Sequence, residues 1–271
     1  MQDKSSLPIG VFDSGIGGLT VVHSLLKLLP NENIIYFGDT ARVPYGPKSP
    51  EAVRGYAKQD AHFLVSQNVK MIVIACNTVS AVALDVVQKE SNVPVVGVIV
   101  PGAKSAIQSS RKKRIGVIGT KGTIASNAYT NAIRQFDSDA KVFGKACPLF
   151  VSLAEEGFIN HKATEMIANE YLFSFKQEKI DTLVLGCTHY PILSEVIQKS
   201  VSEEVTLIDS GIAVAEEVKQ LLEEKELQNR SKHKPNILFY VSDVPEKFTE
   251  VGERFLGMKM GKVRRAEGFL I

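Results

Sequence analysis

Two stretches decide the reading of this chain: Met71–Val82, MIVIACNTVSAV, and Thr182–Leu193, TLVLGCTHYPIL. Each is a short apolar run that ends at a cysteine, Cys76 in the first and Cys187 in the second, followed by two polar residues, Asn77-Thr78 or Thr188-His189. The cysteines lie 187 − 76 = 111 residues apart, and other landmarks recur at nearly that interval. Ile9-Gly10-Val11 pairs with Ile115-Gly116-Val117 (115 − 9 = 106), Ile34 with Val142 (142 − 34 = 108), and Val93 with Glu204 (204 − 93 = 111). A fixed internal period marks a duplicated unit. Two similar halves are expected, each delivering one thiol to the cleft between them.

Val- and Ile-rich runs recur at 9–12, 34–37, 71–75, 93–98, 115–118, 182–185 and 205–208, separated by longer amphipathic stretches. Unbroken apolar strands alternating with helices predict an α/β fold of mostly parallel sheets covered on both faces. Leu19, Val22, Leu26 and Leu29, and again Val214, Val218, Leu221 and Leu222, carry the three-to-four spacing of helices. Right-handed crossovers bring the carboxyl ends of all strands to one edge, where ligands of open parallel sheets bind. Asp13, Asp39, Cys76, Thr120, Cys187 and Asp209 follow those runs and are expected there. The second repeat ends near Ser210, and a further strand is expected at 237–241. The predicted organisation is a discontinuous domain of 1–98 plus 212–271 around a continuous domain of 99–211, with the charged 223–234 segment a solvated helix end and linker.

A chain of 271 residues with 44% hydrophobic content can bury a core of this size. Lys and Arg (32) nearly cancel Asp and Glu (30), which argues against a nucleic-acid partner, and Arg111–Arg114 reads as a solvated loop. No apolar run approaches the roughly 20 residues of a membrane span, and MQDKSSLPIG lacks the apolar stretch of a signal peptide. A cytoplasmic location is expected. Three cysteines without a dense framework fit a reducing compartment.

DSGIGGLT (Asp13–Thr20) lies between a strand and a helix. Either its N–H groups and the Ser14 hydroxyl hold a ligand carboxylate, or it is a tight βα turn that needs glycine for geometry. GDTARVPYGPKS (Gly38–Ser49) is a rigid loop around an exposed-looking Tyr45, able to close a pocket or merely to connect. A thiol at a strand end before a helix start gains thiolate character, and a modest shift from about 8.5 gives a base usable at neutral pH. Cys147 sits in an unmatched phrase and reads as buried and inert. A zinc site from Cys76, Cys187 and His189, or a Cys76–Cys187 disulfide, explains the matched flanks less well than free catalytic thiols; no metal and no cofactor are expected. His23 and His62 in helices, and His161 and His233 in polar stretches, read as structural or solvated. Two equivalent acid/base groups on opposite sides of one ligand are what inverting a stereocentre requires.

GVFDSGIGGLTV, YFGDTARVPYG, IACNTVSA, GVIGTKGT and VLGCTHYPIL together resemble the glutamate racemase family, of the cofactor-independent aspartate/glutamate racemases, in order and spacing over nearly the whole chain. The resemblance implies two α/β domains with the site between them, no pyridoxal phosphate, a frequent homodimer, and D-glutamate made for peptidoglycan. It implies proton transfer by Cys76 and Cys187, with Cys76 acting on D-glutamate and Cys187 on L-glutamate, and support from Asp13, Asp39, Glu155 and His189. Substrate contacts carry onto Asp13, Ser14, Tyr45, Gly46, Asn77, Thr78, Thr120, Thr123, Thr188 and His189. Only eight residues precede the first strand, so the cell-wall-precursor activation of members with a longer N-terminus is not expected here. The alternatives are a racemase for aspartate or another small amino acid, and an amino-acid-binding module that keeps the cleft but not the chemistry.

Overall fold

The computed structural model describes residues 4–231, 234–267 and 269; His233 lies outside them. Ten strands form along the chain: β1 (Ile9–Asp13), β2 (Ile34–Gly38), β3 (Met71–Ile74), β4 (Val95–Gly97), β5 (Arg114–Gly119), β6 (Lys141–Ala146), β7 (Thr182–Gly186), β8 (Thr206–Asp209), β9 (Ile237–Val241) and β10 (Val263–Arg265). They make two all-parallel sheets, ordered β4-β3-β1-β2-β9-β10 and β8-β7-β5-β6, with helices between successive strands. Every residue of β1, β2, β3 and β7 is buried. Burial on both faces is why these strands read as continuous apolar runs.

The duplication is visible in strand order and register. The first four strands and the second four occupy matching places, β1 with β5 at the centre. Ile9 pairs with Ile34 and Met71, as Ile115 pairs with Val142 and Thr182. The last pairing slips by one: Ile72 faces Val95, whereas Leu183 faces Leu207.

Two strands were not expected. β6 is half-buried and its apolar residues are interrupted by Gly144 and Lys145, so no unbroken run announces it, and β10 is a three-residue edge strand. Both depend on a neighbour for their hydrogen bonds rather than on their own hydrophobicity.

Helix Leu19–Leu28 buries Leu19, Val22 and Leu25 against helix Ser210–Glu224, which buries Val214, Val218 and Leu222. One apolar cluster runs from these residues into Leu193, Ile197 and Phe150 around the second sheet, so the halves share a continuous core. Residues 223–226 are the exposed helix end that was expected, but the following 227–229 segment is held rather than free. A buried pair, Lys70 Nζ to Glu32 Oε2 at 2.5 Å, pins it: Lys70 donates to the Leu227 carbonyl and Asn229 N–H donates to Glu32. Among the described residues no helix is long and apolar enough to cross a membrane.

Candidate active site

The carboxyl ends of β1, β3, β5 and β7 meet between the sheets. Cys76 follows β3 and caps helix Asn77–Val82; Cys187 follows β7, ahead of a single 3₁₀ turn, Tyr190–Leu193. Both thiols are nearly enclosed, 6% exposed each, and the charge of Cys187 bears on Cys76.

Their surroundings differ. Cys76 Sγ stands 3.7 Å from Ser14 Oγ, with the buried Asp13 carboxylate close enough to act on it electrostatically. Burial, reinforced by Asp13, pushes the Cys76 thiol up to about 12, although Val79 N–H and Ser14 pull the other way. The expectation that a helix start would make this thiol a base at neutral pH therefore fails: desolvation and a neighbouring anion outweigh a short helix. Cys187 Sγ instead lies 3.8 Å from His189 Nδ1, and His189 Nε2 is 2.8 Å from Glu155 Oε1. Burial opposes an imidazolium there, but the bonds to Cys187 and Glu155 prevail and hold His189 up to about 10. Phe255 packs edge-on against the imidazole. One thiol thus has a buried carboxyl group for a neighbour, itself raised by burial, and the other a cation.

The Asp13–Thr20 loop needs glycine for its geometry, as the tight-turn reading expects: a Cβ on Gly18 would lie 2.4 Å from Asp13 Cβ. Its free amides are taken by its own Asp13: Gly15 N–H donates to Oδ2 at 3.0 Å, and Gly18 N–H also reaches the carboxylate. The amides of Leu19, Thr20 and Val21 bond the carbonyls of Ile16, Gly17 and Gly18. Glycine is needed at 17 for contact with the other half, since a Cβ there would lie 2.3 Å from Thr188 Oγ1 and 2.4 Å from His189 Nδ1. Thr20 Oγ1 ties the halves again by donating to the Thr188 carbonyl at 2.9 Å, and Thr188 Oγ1 reaches Asp13 Oδ1 at 3.4 Å.

A hydroxyl cluster closes the opposite side. Thr78 Oγ1 is 2.9 Å from Thr120 Oγ1 and 3.2 Å from Thr123 Oγ1, and Gly122 N–H donates to the Gly46 carbonyl at 2.9 Å. Asn77 is oriented by groups the sequence reading did not single out. Tyr129 O–H donates to Asn77 Oδ1 at 2.7 Å, and Asn77 Nδ2 reaches Ser210 Oγ at 3.4 Å. Tyr129 lies in an amphipathic helix, Ala128–Phe136, where it reads as an ordinary core aromatic; no local signal marks its role.

Three residues expected at the site have their side chains engaged in other contacts. Tyr45 is buried, 1% exposed, rather than exposed, and its hydroxyl bonds Asp39 and Asp60. Asp39 contacts neither thiol: it accepts from Arg42 Nε at 2.6 Å and from Tyr45, because an unpaired carboxylate buried this deeply is costly. Asp209 caps helix Ser210–Glu224 by accepting from Gly211 N–H at 2.7 Å. Cys147 is buried, its Sγ near the Lys145 carbonyl, and it follows β6 where Asp39 follows β2. His161 caps the helix Lys162–Gln177, and His62 pairs with Glu90.

Residues 9–218 match the family model for Asp/Glu/hydantoin racemase. This chain belongs to that family. A glutamate racemase of Chlorobaculum tepidum is 54% identical over 261 residues, 96% of each chain. Among solved structures, the glutamate racemase of Francisella tularensis in complex with D-glutamate superposes with a TM-score of 0.90 at 46% identity, covering 96% of this chain and 97% of that one. Glutamate racemase isoform RacE1 from Bacillus anthracis superposes with a TM-score of 0.94 at 38% identity, covering 98% and 100%. The Asp/Glu racemase assignment and the two matched thiols rest on independent observations, one on whole-chain similarity and the other on side-chain geometry.

Proposed function

We propose that this family member is a glutamate racemase that moves protons with two thiols and no cofactor. The carrying observation is the pair of buried cysteines at equivalent strand ends, Cys76 beside Ser14 and Asp13, and Cys187 beside His189 and Glu155. Curated relatives named glutamate racemase at about half identity over nearly the full chain support glutamate as the substrate.

The charges set the starting form. Cys76, pushed up to about 12, keeps its proton, which leaves Cys187, beside the His189 imidazolium, the role of base in the L-to-D direction. In the L-to-D direction the Cα–H proton passes to the Cys187 sulfur, and its bonding pair remains on Cα. Cys76 S–H then gives its proton to the opposite face of Cα, becoming the thiolate. The enzyme is left with Cys187 as thiol and Cys76 as thiolate, the form that converts D-glutamate back. The intermediate carbanion needs fixed donors in a water-poor cleft; Ser14, Asn77, Thr78, Thr120, Thr123 and Thr188 are the groups we assign to substrate carboxylates and ammonium. Tyr45 and Gly46 would contribute through their backbone. Asp13 and His189 tune the thiols, Glu155 supports His189, and Asp39 acts at a distance by anchoring the Tyr45 loop.

We further propose the domain division 1–98 plus 212–271 and 99–211, a division the strand membership of the two sheets supports. A cytoplasmic homodimer supplying D-glutamate to peptidoglycan is the cellular reading. Circular dichroism of D- and L-glutamate with the protein alone, after dialysis against chelator and treatment with a carbonyl reagent, tests the reaction. Aspartate run in parallel tests the substrate. Turnover that returns only with added zinc or pyridoxal phosphate would overturn the cofactor-free mechanism, and growth of a gene deletion without D-glutamate, in a strain lacking D-amino-acid transaminase, would remove the cellular role.

A further inference from the structure

Behind the Tyr45 loop lies a closed box of charged groups that the proton transfers do not use. Asp39 and Asp60 are both fully buried, and Arg42 reaches across them, with Nε at 2.6 Å from Asp39 Oδ2 and Nη2 at 3.2 Å from Asp60 Oδ1. Arg42 Nη1 also donates to Gln59 Oε1 at 2.6 Å, and its guanidinium lies 4.4 Å above the Tyr56 ring. The Tyr45 hydroxyl sits between the carboxyl groups, against Asp39 Oδ2 and 3.3 Å from Asp60 Oδ2.

Counting protons decides the arrangement. A phenol has one proton to donate, and an ionised carboxylate has none. With both aspartates ionised, Asp39 and Asp60 compete for the Tyr45 proton, and two buried anions face one guanidinium with Asp13 nearby as a third carboxyl group. One added proton removes both conflicts. Placed on Asp60 Oδ2, it makes a directed chain from Asp60 O–H to Tyr45 O–H to Asp39, and the charge of the box closes to zero. Burial, and then the charge of Asp39, push the Asp60 carboxyl well above the usual carboxylate range, against the pull of Arg42 and Tyr45.

The chain ends one residue from the loop tip. The Gly46 carbonyl accepts from Gly122 N–H of the other half, and a Cβ on Gly46 would lie 2.8 Å from Thr120 Cβ. A tilt of the Tyr45 ring therefore moves Gly46 against Thr120 and its hydroxyl cluster.

We propose that Asp60 is a positioning residue that donates a retained proton to Tyr45 and thereby fixes the Tyr45–Gly46 segment over the substrate. The role rests on reading Tyr45 and Gly46 as substrate contacts; the retained proton does not. Racemisation kinetics of wild type, Asp60→Ala and Asp60→Asn, at neutral and alkaline pH, test it. An asparagine can accept from Arg42 and donate to Tyr45 as the protonated acid does. Asp60→Ala should raise KM roughly tenfold for both enantiomers with little change in kcat, the effect of a lost buried hydrogen bond. Asp60→Asn should restore KM to within about twofold of wild type, and should lack whatever rise in KM the wild type shows as Asp60 ionises. A wild-type KM in Asp60→Ala overturns the proposal. So does an Asp60→Asn protein that folds and yet binds as weakly as Asp60→Ala, or, if the alanine variant is insoluble, one whose KM is tenfold above wild type.

Thermal melts read the proton without turnover. A carboxyl raised in the folded state costs nothing below its unfolded value, near 3.9, and costs more as pH rises above it. Asp60→Asn should therefore be more stable than wild type, by a margin that grows with pH. A margin independent of pH would mean that Asp60 is ionised, whatever the substrate proves to be.

Discussion

Gly17→Ala is the smallest change expected to disable the site. Gly17 is not in a left-handed conformation, so alanine meets no backbone penalty and the effect comes from space alone. The new Cβ would lie 2.3 Å from Thr188 Oγ1 and 2.4 and 2.5 Å from His189 Nδ1 and Cε1, where ordinary contact begins at 3.4 Å. Something must therefore move by 3.4 − 2.3 = 1.1 Å. The imidazole has little freedom to yield. It is bound to Cys187 on one side and Glu155 on the other, and it rests on Phe255. Thr188 is tied by its carbonyl to Thr20. Displacing a catalytic group by about 1 Å costs on the order of 100-fold in rate, and overpacking a filled core costs about 1–3 kcal/mol. At roughly 2–4 °C per kcal/mol for a chain of this size, the melting temperature should fall by about 2–12 °C. Gly55→Ala is the control: nothing lies within 4 Å of a Cβ there, in the helix Pro50–Ser66. It should leave turnover unchanged and stabilise by roughly 0.5–1 kcal/mol. Racemisation followed by circular dichroism, with melts of all three proteins, gives the comparison. A Gly17→Ala enzyme with wild-type kcat/KM would refute the claim that this contact holds His189 in register.

Cys76→Ala and Cys187→Ala should each lower racemisation by at least about 10²–10⁴-fold, since a general acid or base is lost from one face; in deuterium oxide the wild type should place solvent deuterium mainly in the inverted product, and near-normal turnover in either variant would end the two-thiol mechanism. His189→Asn removes the cation beside Cys187, so kcat/KM should fall. Enantiomers are equal in free energy, so it must fall equally in both directions, and an unchanged kcat/KM would count against a role for the imidazolium. His189 is raised in the folded state, to about 10 from 6.5, so the stability it contributes is full below 6.5 and lost as pH rises through 10; melts of wild type and His189→Asn should converge over that window, and a constant difference would contradict it. Lys70→Met leaves Glu32 buried without its cation and should destabilise by about 3–5 kcal/mol while leaving kcat/KM of the folded enzyme unchanged; lost activity at full folding would tie that pair to the site.

The sequence by itself determined the sheets and the thiols. Strands buried on both faces must be apolar throughout, so β1, β2, β3 and β7 are legible as runs, and duplication repeats the cysteine at the same strand end with the same spacing. It carried no apolar run for β6, marked only by the repeat partner of Ile34 at Val142, and no trace of β10; both depend on hydrogen bonds to a partner strand more than on their own composition. Nor could it give the charged groups that face each thiol. Cys76 and Cys187 sit in nearly matching phrases, yet one faces Asp13 and the other His189 with Glu155, groups that lie 63 residues before Cys76 and 32 before Cys187 for the carboxylates. Burial and the sign of the nearest charge set a pKa, and both are properties of packing. The same holds for Asp39, Tyr45, Asp60 and Arg42, which read as a loop and a helix face in the chain but form one buried network in space. Tyr129 reaches Asn77 across 52 residues, from a helix of one half to a helix of the other. A local pattern fixes which residues a strand or helix buries; which of them meet in the cleft between two halves depends on how those halves pack, and only the tertiary structure decides that.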